Sequence, residues 1–194
     1  MICYTFLNEN KYNLSRKKWQ IQHEKAHDLL SAVLKKNFGI EKYSLGYGDH
    51  GKPYLKDHPN IFFNLSHCSG LVVCGVSDAA IGVDCELIRP YSGSAAKKIF
   101  SDSEIKFVSE SEDSNKNFFR IWTLKEALGK NFGTGIFSDL KKYEFIFKYG
   151  NPVCGAADIF GKKFFSQQII CGKWVVSVCS DSSENIFEEF SEIF

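Results

Sequence analysis

An α+β fold made of two similar halves is predicted for this chain by three features of its 194 residues. Short apolar runs alternate in the manner of half-buried strands, and two long stretches carry apolar residues at helical spacing. The order of these runs nearly repeats: strand, helix, three strands, then helix, helix, three strands. The repeat divides the chain into residues 1–80 and residues 81–194, a pseudo-twofold duplication of one α+β unit.

The first run, residues 2–7, alternates Ile2, Tyr4 and Phe6 against Cys3, Thr5 and Leu7 and predicts a strand. Ser15 is placed to cap a following helix. Trp19, Ala26, Leu29, Leu30, Val33, Leu34 and Phe38 form its apolar side, and Gly39 marks its end. Arg16 and Lys17 lie in its first turn, where cations oppose the helix dipole. They read either as a solvated face or as a phosphate contact. Gly46-Tyr47-Gly48-Asp49-His50-Gly51-Lys52-Pro53 is a glycine-punctuated loop whose backbone can approach a ligand closely, with the charge of Lys52 added. Runs at 61–65, 71–77 and 81–87 are separated by Ser69-Gly70 and by Asp78-Ala79-Ala80, which predicts an antiparallel meander. Ser66 and His67 fall just after the first of them, and the hairpin returns the chain from there toward Asp84.

In the second half, Ser101-Asp102-Ser103-Glu104 is a capping box that opens a helix to about residue 110. The polar stretch 111–117 reads as a loop, and a helix over 117–130 follows, released by Gly133-Thr134-Gly135. Strands are expected near 143–149, 164–171 and 174–179. Ile186, Phe187, Phe190, Ile193 and Phe194 recur at helical spacing and predict a terminal helix docked on the core.

The net charge of +1 gives no field that would favour nucleic acid or an anionic membrane. Seven cysteines, an odd number without a CxxC pair, point to a reducing compartment and to thiols used as small core residues. No stretch approaches the ~18 apolar residues of a membrane span. The amino-terminal MICYTFLNEN lacks the basic-then-apolar order of an export signal. The expected setting is therefore cytoplasmic.

The chemistry is concentrated in two segments, Gly82-Val83-Asp84-Cys85-Glu86 and Trp122-Thr123-Leu124-Lys125-Glu126-Ala127-Leu128-Gly129-Lys130. On a strand, Asp84 and Glu86 point the same way and Cys85 the other. On a helix, Trp122, Glu126 and Lys130 share a face at four-residue steps, and Lys130 can pair with Glu126. Should Glu126 meet Asp84 and Glu86, three oxygen donors with no imidazole or thiol suit Mg²⁺ or Mn²⁺ better than Zn²⁺. Phosphoryl chemistry is the leading class, because it needs a metal, lysines on the oxygens and an aligned nucleophile. The chain has no GxxxxGK[ST], which argues against an ordinary P-loop nucleotide enzyme.

Three ordered motifs carry a resemblance: Gly51-Lys52-Pro53; Phe63-Asn64-Leu65-Ser66-His67 leading into Gly82-Val83-Asp84-Cys85-Glu86; and Trp122-Thr123-Leu124-Lys125-Glu126 with Lys130. In these the chain resembles the 4′-phosphopantetheinyl transferases of the surfactin-synthetase-activating (Sfp-like) type. The resemblance implies a monomer with coenzyme A between its two halves. It also implies transfer of the phosphopantetheine arm to a serine of an acyl or peptidyl carrier protein, with release of adenosine 3′,5′-bisphosphate. Asp84, Glu86 and Glu126 fall on the family's metal positions, and Glu126 also on that of its general base. Lys130, His67 and the adjoining Ser66 fall on the pyrophosphate and 3′-phosphate side, Lys52 and Pro53 on the adenine side, and Arg16 or Lys17 near the 3′-phosphate. Where family members often carry Arg, this chain has Asp28.

Overall fold

In the computed structural model, the described residues are 1–7, 18–133, 140–149, 151–154, 164–182 and 187–189. Two sheets pack face to face, with one long helix on the outside of each. The first sheet has the order β11-β1-β5-β4 and is built from β1 (Ile2–Phe6), β4 (Phe62–Cys68), β5 (Leu71–Ser77) and β11 (Phe187–Glu189). The second has the order β6-β10-β9, from β6 (Ile81–Leu87), β9 (Phe165–Cys171) and β10 (Trp174–Ser180). Two hairpins stand apart: β2 (Leu45–Tyr47) with β3 (Pro53–Leu55), and β7 (Phe145–Lys148) with β8 (Asn151–Cys154). The helices are α1 (Lys18–Phe38), α2 (Gly93–Ile99), α3 (Asp102–Ser109) and α4 (Ser114–Phe132), with one 3-10 turn at Leu140–Lys142.

Strand alternation explains the layers. Every residue of β5 is buried. Val72, Cys74 and Val76 pack with Leu29, Leu30, Val33 and Leu34 of α1. Leu71 and Val73 face the other way, onto Ile81, Val83 and Cys85 of β6 and Val176 and Val178 of β10. On β6 the intervening Gly82, Asp84 and Glu86 consequently face α4. A Cβ at Gly82 would lie 2.0 Å from the carbonyl oxygen of Ala127, so only glycine permits this approach of strand and helix. Both sheets contain the same unit, strand–helix–strand–strand with the third strand central: β1, α1, β4, β5 in one and β6, α4, β9, β10 in the other.

The α+β class and the long helices agree with expectation, and the capping box forms in full: Glu104 N donates to Ser101 Oγ, and Ser101 N donates to Glu104 Oε2. Four expectations are corrected. The run at 81–87 does not complete a meander, because both edges of β5 are already taken by β4 and β1, and β6 crosses to pair with β10. The glycine-rich loop is the tip of the β2–β3 hairpin. Helix α4 begins at Ser114 within the expected loop, since Asp113 Oδ1 accepts the Lys116 N–H as a cap. Phe187 belongs to strand β11, not a helix; it pairs in parallel with Ile2, satisfying an edge of β1 that would otherwise stand open. Phe190, Ile193 and Phe194 lie outside the described residues, as does the Ser15 cap. Helix α2 and strand β8 are additions. Cys3, Cys68, Cys74, Cys85, Cys171 and Cys179 are free thiols, and of these all but Cys171 are buried. No described helix is long and apolar enough to cross a membrane.

Candidate active site

The site lies where β6, β4 and α4 meet. Asparagine 64 fixes the approach: Asn64 Oδ1 accepts the backbone N–H of Val83 at 2.8 Å, stapling β4 to β6. Two residues on, Ser66 Oγ donates to Asp84 Oδ1 at 2.9 Å. Lys130 Nζ reaches the same oxygen at 2.7 Å and donates to Ser66 Oγ at 3.1 Å. The Lys130–Glu126 pair that the helical spacing allows does not form; the cross-element partner Asp84 takes the lysine. Burial pulls Lys130 toward neutrality, but Asp84 beside it outweighs this and holds its ammonium above the usual lysine value.

Glu126 lacks an ion-pair partner among the described residues. Burial first, then the like charges of Asp84 and Glu86, push its carboxyl up to about 7, against the pull of Lys130. The three acids from two segments thus feel one another. Glu86 is held from the side by Arg89, whose Nη1 lies 2.7 Å from Oε2 and also donates to the Leu87 carbonyl. Among the described residues no three His, Cys, Asp or Glu side chains form a ready-made metal cage. The donor set nevertheless fits a hard divalent cation. It is all oxygen, Cys85 is turned into the core, and Glu126 keeps a proton in a place where a cation would replace it.

His67 is half-buried on β4, its ring 6.5 Å from that of His23 and 6.2 Å from that of Trp19. Burial, His23 and Lys130 lower its pKa, while Asp84 acts in the other direction. Lys52 is placed differently from a ligand-facing cation. Its Nζ donates to the carbonyls of Ile81, Lys130 and Asn131, tying the β2–β3 hairpin to the end of α4. Burial lowers its pKa to about 8, opposed by Asp181. Lys52 and Pro53, with His50, Gly51, Asn64 and Lys130, line a hollow of about 190 Å³. On their other side lies a larger one of about 400 Å³, walled by Tyr54, Phe62 and Phe132. Arg16 and Lys17 lie outside the described residues.

Three contributions were given no role by the sequence reading, although Asn64 and Thr123 lie inside its motifs. Asn64 had a signal, as a polar residue inside an apolar strand run. Arg89 had none beyond its distance from Glu86. Below the site, Thr123 Oγ1 and Ser177 Oγ lie 2.6 Å apart, and Gln168 Nε2 donates to Ser177 Oγ while Gln168 Oε1 accepts from Arg120 Nε. This polar seam fixes α4 on β10 and β9.

Comparison with known proteins defines the class. A family model described as the 4′-phosphopantetheinyl transferase superfamily matches residues 80–179, the stretch that holds β6, α4 and β10. The chain belongs to that superfamily. Among relatives, a protein named 4′-phosphopantetheinyl transferase from Bacillus subtilis is 30% identical over 112 residues, 56% of this chain and 50% of the relative. The one named 4′-phosphopantetheinyl transferase HetI from Nostoc is 37% identical over 118 residues, 56% of this chain and 50% of the relative. The chain spans about half the length of these curated relatives. The solved structure of Thermotoga maritima holo-[acyl-carrier-protein] synthase aligns with a TM-score of 0.44 at 18% identity, over 53% of this chain and 62% of that one.

Proposed function

We propose that this chain moves the 4′-phosphopantetheine arm of coenzyme A onto a serine of an acyl or peptidyl carrier protein. The cofactor in this reading is Mg²⁺, with Mn²⁺ able to substitute, and the setting is a cytoplasmic monomer. The observation that carries the reading is the cluster itself. Burial first, then the like charges of Asp84 and Glu86, raise the Glu126 carboxyl to about 7, with Lys130 at their edge, inside the stretch matched by the family model. The two halves, 1–80 and 81–194, would contribute β4 and the hairpin on one side and β6 with α4 on the other.

In this reading the serine oxygen attacks the phosphorus nearer the pantetheine. The bond from that phosphorus to the bridging oxygen breaks, adenosine 3′,5′-bisphosphate leaves with the electron pair, and the serine proton is released. A cation held by Asp84, Glu86 and Glu126 would neutralise the pyrophosphate and the departing bisphosphate. Lys130 keeps its charge because Asp84 outweighs burial. Two of its three N–H groups are used on Asp84 and Ser66, so the third serves a phosphate oxygen. Ser66 aligns both partners. His67 lies on the same side, and Arg16 or Lys17 would attend the 3′-phosphate. The cation would lower the Glu126 carboxyl from its metal-free value of about 7, so the serine proton passes either to a loosely held Glu126 or to a water beside it. Lys52 acts by holding the end of α4, and Pro53 walls the nucleotide end.

The test is mass spectrometry of a carrier protein incubated with coenzyme A, Mg²⁺ and the protein. A gain of one phosphopantetheine group is expected with the wild type and none with Asp84→Ala or Glu126→Ala, each folded by circular dichroism. Turnover like wild type in either variant discards the assigned roles. Tight binding of coenzyme A without any mass gain would make the chain a binding protein instead.

A further inference from the structure

Helix α1 carries the order His23-Glu24-Lys25-Ala26-His27. Two imidazoles four residues apart on a helix share one face, and a helix holds zinc through this spacing. Here the two rings do meet. The His23 and His27 centroids are 4.7 Å apart, with planes at 48°. His23 is exposed and His27 half-buried, so neither ring is spent on the core. We propose that His23 and His27 bind Zn²⁺ or a like transition-metal cation, at a site separate from the carboxylate cluster. The proposal does not depend on the transferase reading.

Geometry supports it first. An imidazole nitrogen binds Zn²⁺ at about 2.0–2.1 Å, which puts the ring centroid about 3.2 Å from the ion. Two rings meeting at a tetrahedral angle then have centroids about 5 Å apart, close to the spacing already present. Two rings on one ion can stand no more than about 6.4 Å apart. His67 of β4 is 6.5 Å from His23 and so lies just outside the shell. Among the described residues no third His, Cys, Asp or Glu closes the site, so water completes the coordination. The proton state fits as well, because imidazole must be neutral to bind a metal. Burial first, then His23, lower the pKa of His27, against the pull of Asp28. Lys25, which lies between the two histidines in the chain, is tied to Asp28 at 3.0 Å rather than left to repel the ion. Donor type separates the two sites. Imidazole nitrogens favour Zn²⁺, Ni²⁺ and Cu²⁺, whereas the oxygens of Asp84, Glu86 and Glu126 favour Mg²⁺ or Mn²⁺. Excess Mg²⁺ should therefore leave the histidine site open.

The test is a titration of Zn²⁺ into the whole chain at neutral pH, in excess Mg²⁺ and in competition with a chromophoric chelator. The wild type should withhold one ion per chain from the chelator. His23→Ala and His27→Ala should each weaken Zn²⁺ by at least about tenfold, since losing even a group that only orients a metal ligand costs that much. Alanine is the best helix former, so both variants should keep α1. His23→Gln repeats the test with a polar side chain in place. Asp84→Ala and His67→Ala should stay within about twofold of wild type, because neither residue holds the ion. Wild type that yields all its Zn²⁺ to the chelator overturns the assignment, as does Zn²⁺ held equally well by the His23 and His27 variants. A tenfold loss in Asp84→Ala, or displacement by Mg²⁺, also overturns it and gives the ion to the carboxylates. A tenfold loss in His67→Ala overturns the two-imidazole site in favour of one built across α1 and β4.

Discussion

Lys125 and Lys130 leave α4 on different sides, and each sits on a carboxylate of another element. Lys125 Nζ is 2.9 Å from Glu104 Oε2, with side chains 0% and 1% exposed. Its ammonium also donates to the carbonyls of Leu140 and Tyr143, both at 2.7 Å. Glu104 in turn accepts the N–H groups of Ser101 and Phe145. Lys130 is 2.7 Å from Asp84 Oδ1, yet its side chain is 29% exposed, and it borders an open hollow. The first pair is closed and complete; it welds α3, α4 and the approach to β7 together. The second is closer but unfinished, with a donor and a protonated acid left over. What separates a structural ion pair from a working one here is the unsatisfied remainder, not the distance.

The largest expected effect breaks the closed pair. Lys125→Met leaves Glu104 buried beside two N–H donors and no cation, which should cost about 3–5 kcal/mol in urea denaturation. A loss below about 1 kcal/mol would mean that the pair is no weld and the contrast fails. Lys130→Met is the counterpart. Asp84 keeps its hydrogen bond from Ser66, so stability should fall by only about 1 kcal/mol, while transfer drops about 10²–10³-fold. Measuring both quantities on both variants sharpens the comparison, since each should move one readout far more than the other. Ser66→Ala is expected to be milder, lowering turnover several-fold through a less well aligned Lys130, because the 2.7 Å contact with Asp84 remains.

Much of this contrast was written in the sequence, and some of it was not. The strand period put Asp84 and Glu86 on one face, and the helix period put Glu126 and Lys130 on another; both hold. The burial of Lys125 had a signal that the motif reading did not use, since it lies among Ile121, Leu124 and Leu128 on the apolar side of α4, where a lysine must find an acid. The partner of Lys130 was not legible. Local spacing favours Glu126, but the tertiary approach of β6, permitted by Gly82, delivers Asp84 instead. The same kind of non-local decision sends β6 away from β5 and turns Phe187 into a strand residue, because the sheet edges open to them are set by β1 and β10, segments far away in the chain.

The subtlest prediction concerns the acid that the open pair leaves exposed to its neighbours. Glu126 titrates near 7 in the folded protein and at its ordinary value of 4.5 when unfolded. Between these values the unfolded chain gives up the proton while the folded one keeps it. Stability without metal therefore falls as pH rises from 4.5 to 7, and the whole penalty is present above 7. Glu126→Gln removes the ionisation. It should match wild type at pH 4 and exceed it by about 1–2 kcal/mol at pH 8, a figure held low because the carboxyl is partly open to water. Mg²⁺ should raise the wild-type Tm at pH 8 and leave the variant nearly unmoved, since the cation takes the place of the proton that only Glu126 carries. A variant no more stable than wild type at pH 8 would mean that burial and the neighbouring carboxylates do not raise the Glu126 carboxyl. The proposed cation role of the site would then lose its electrostatic support.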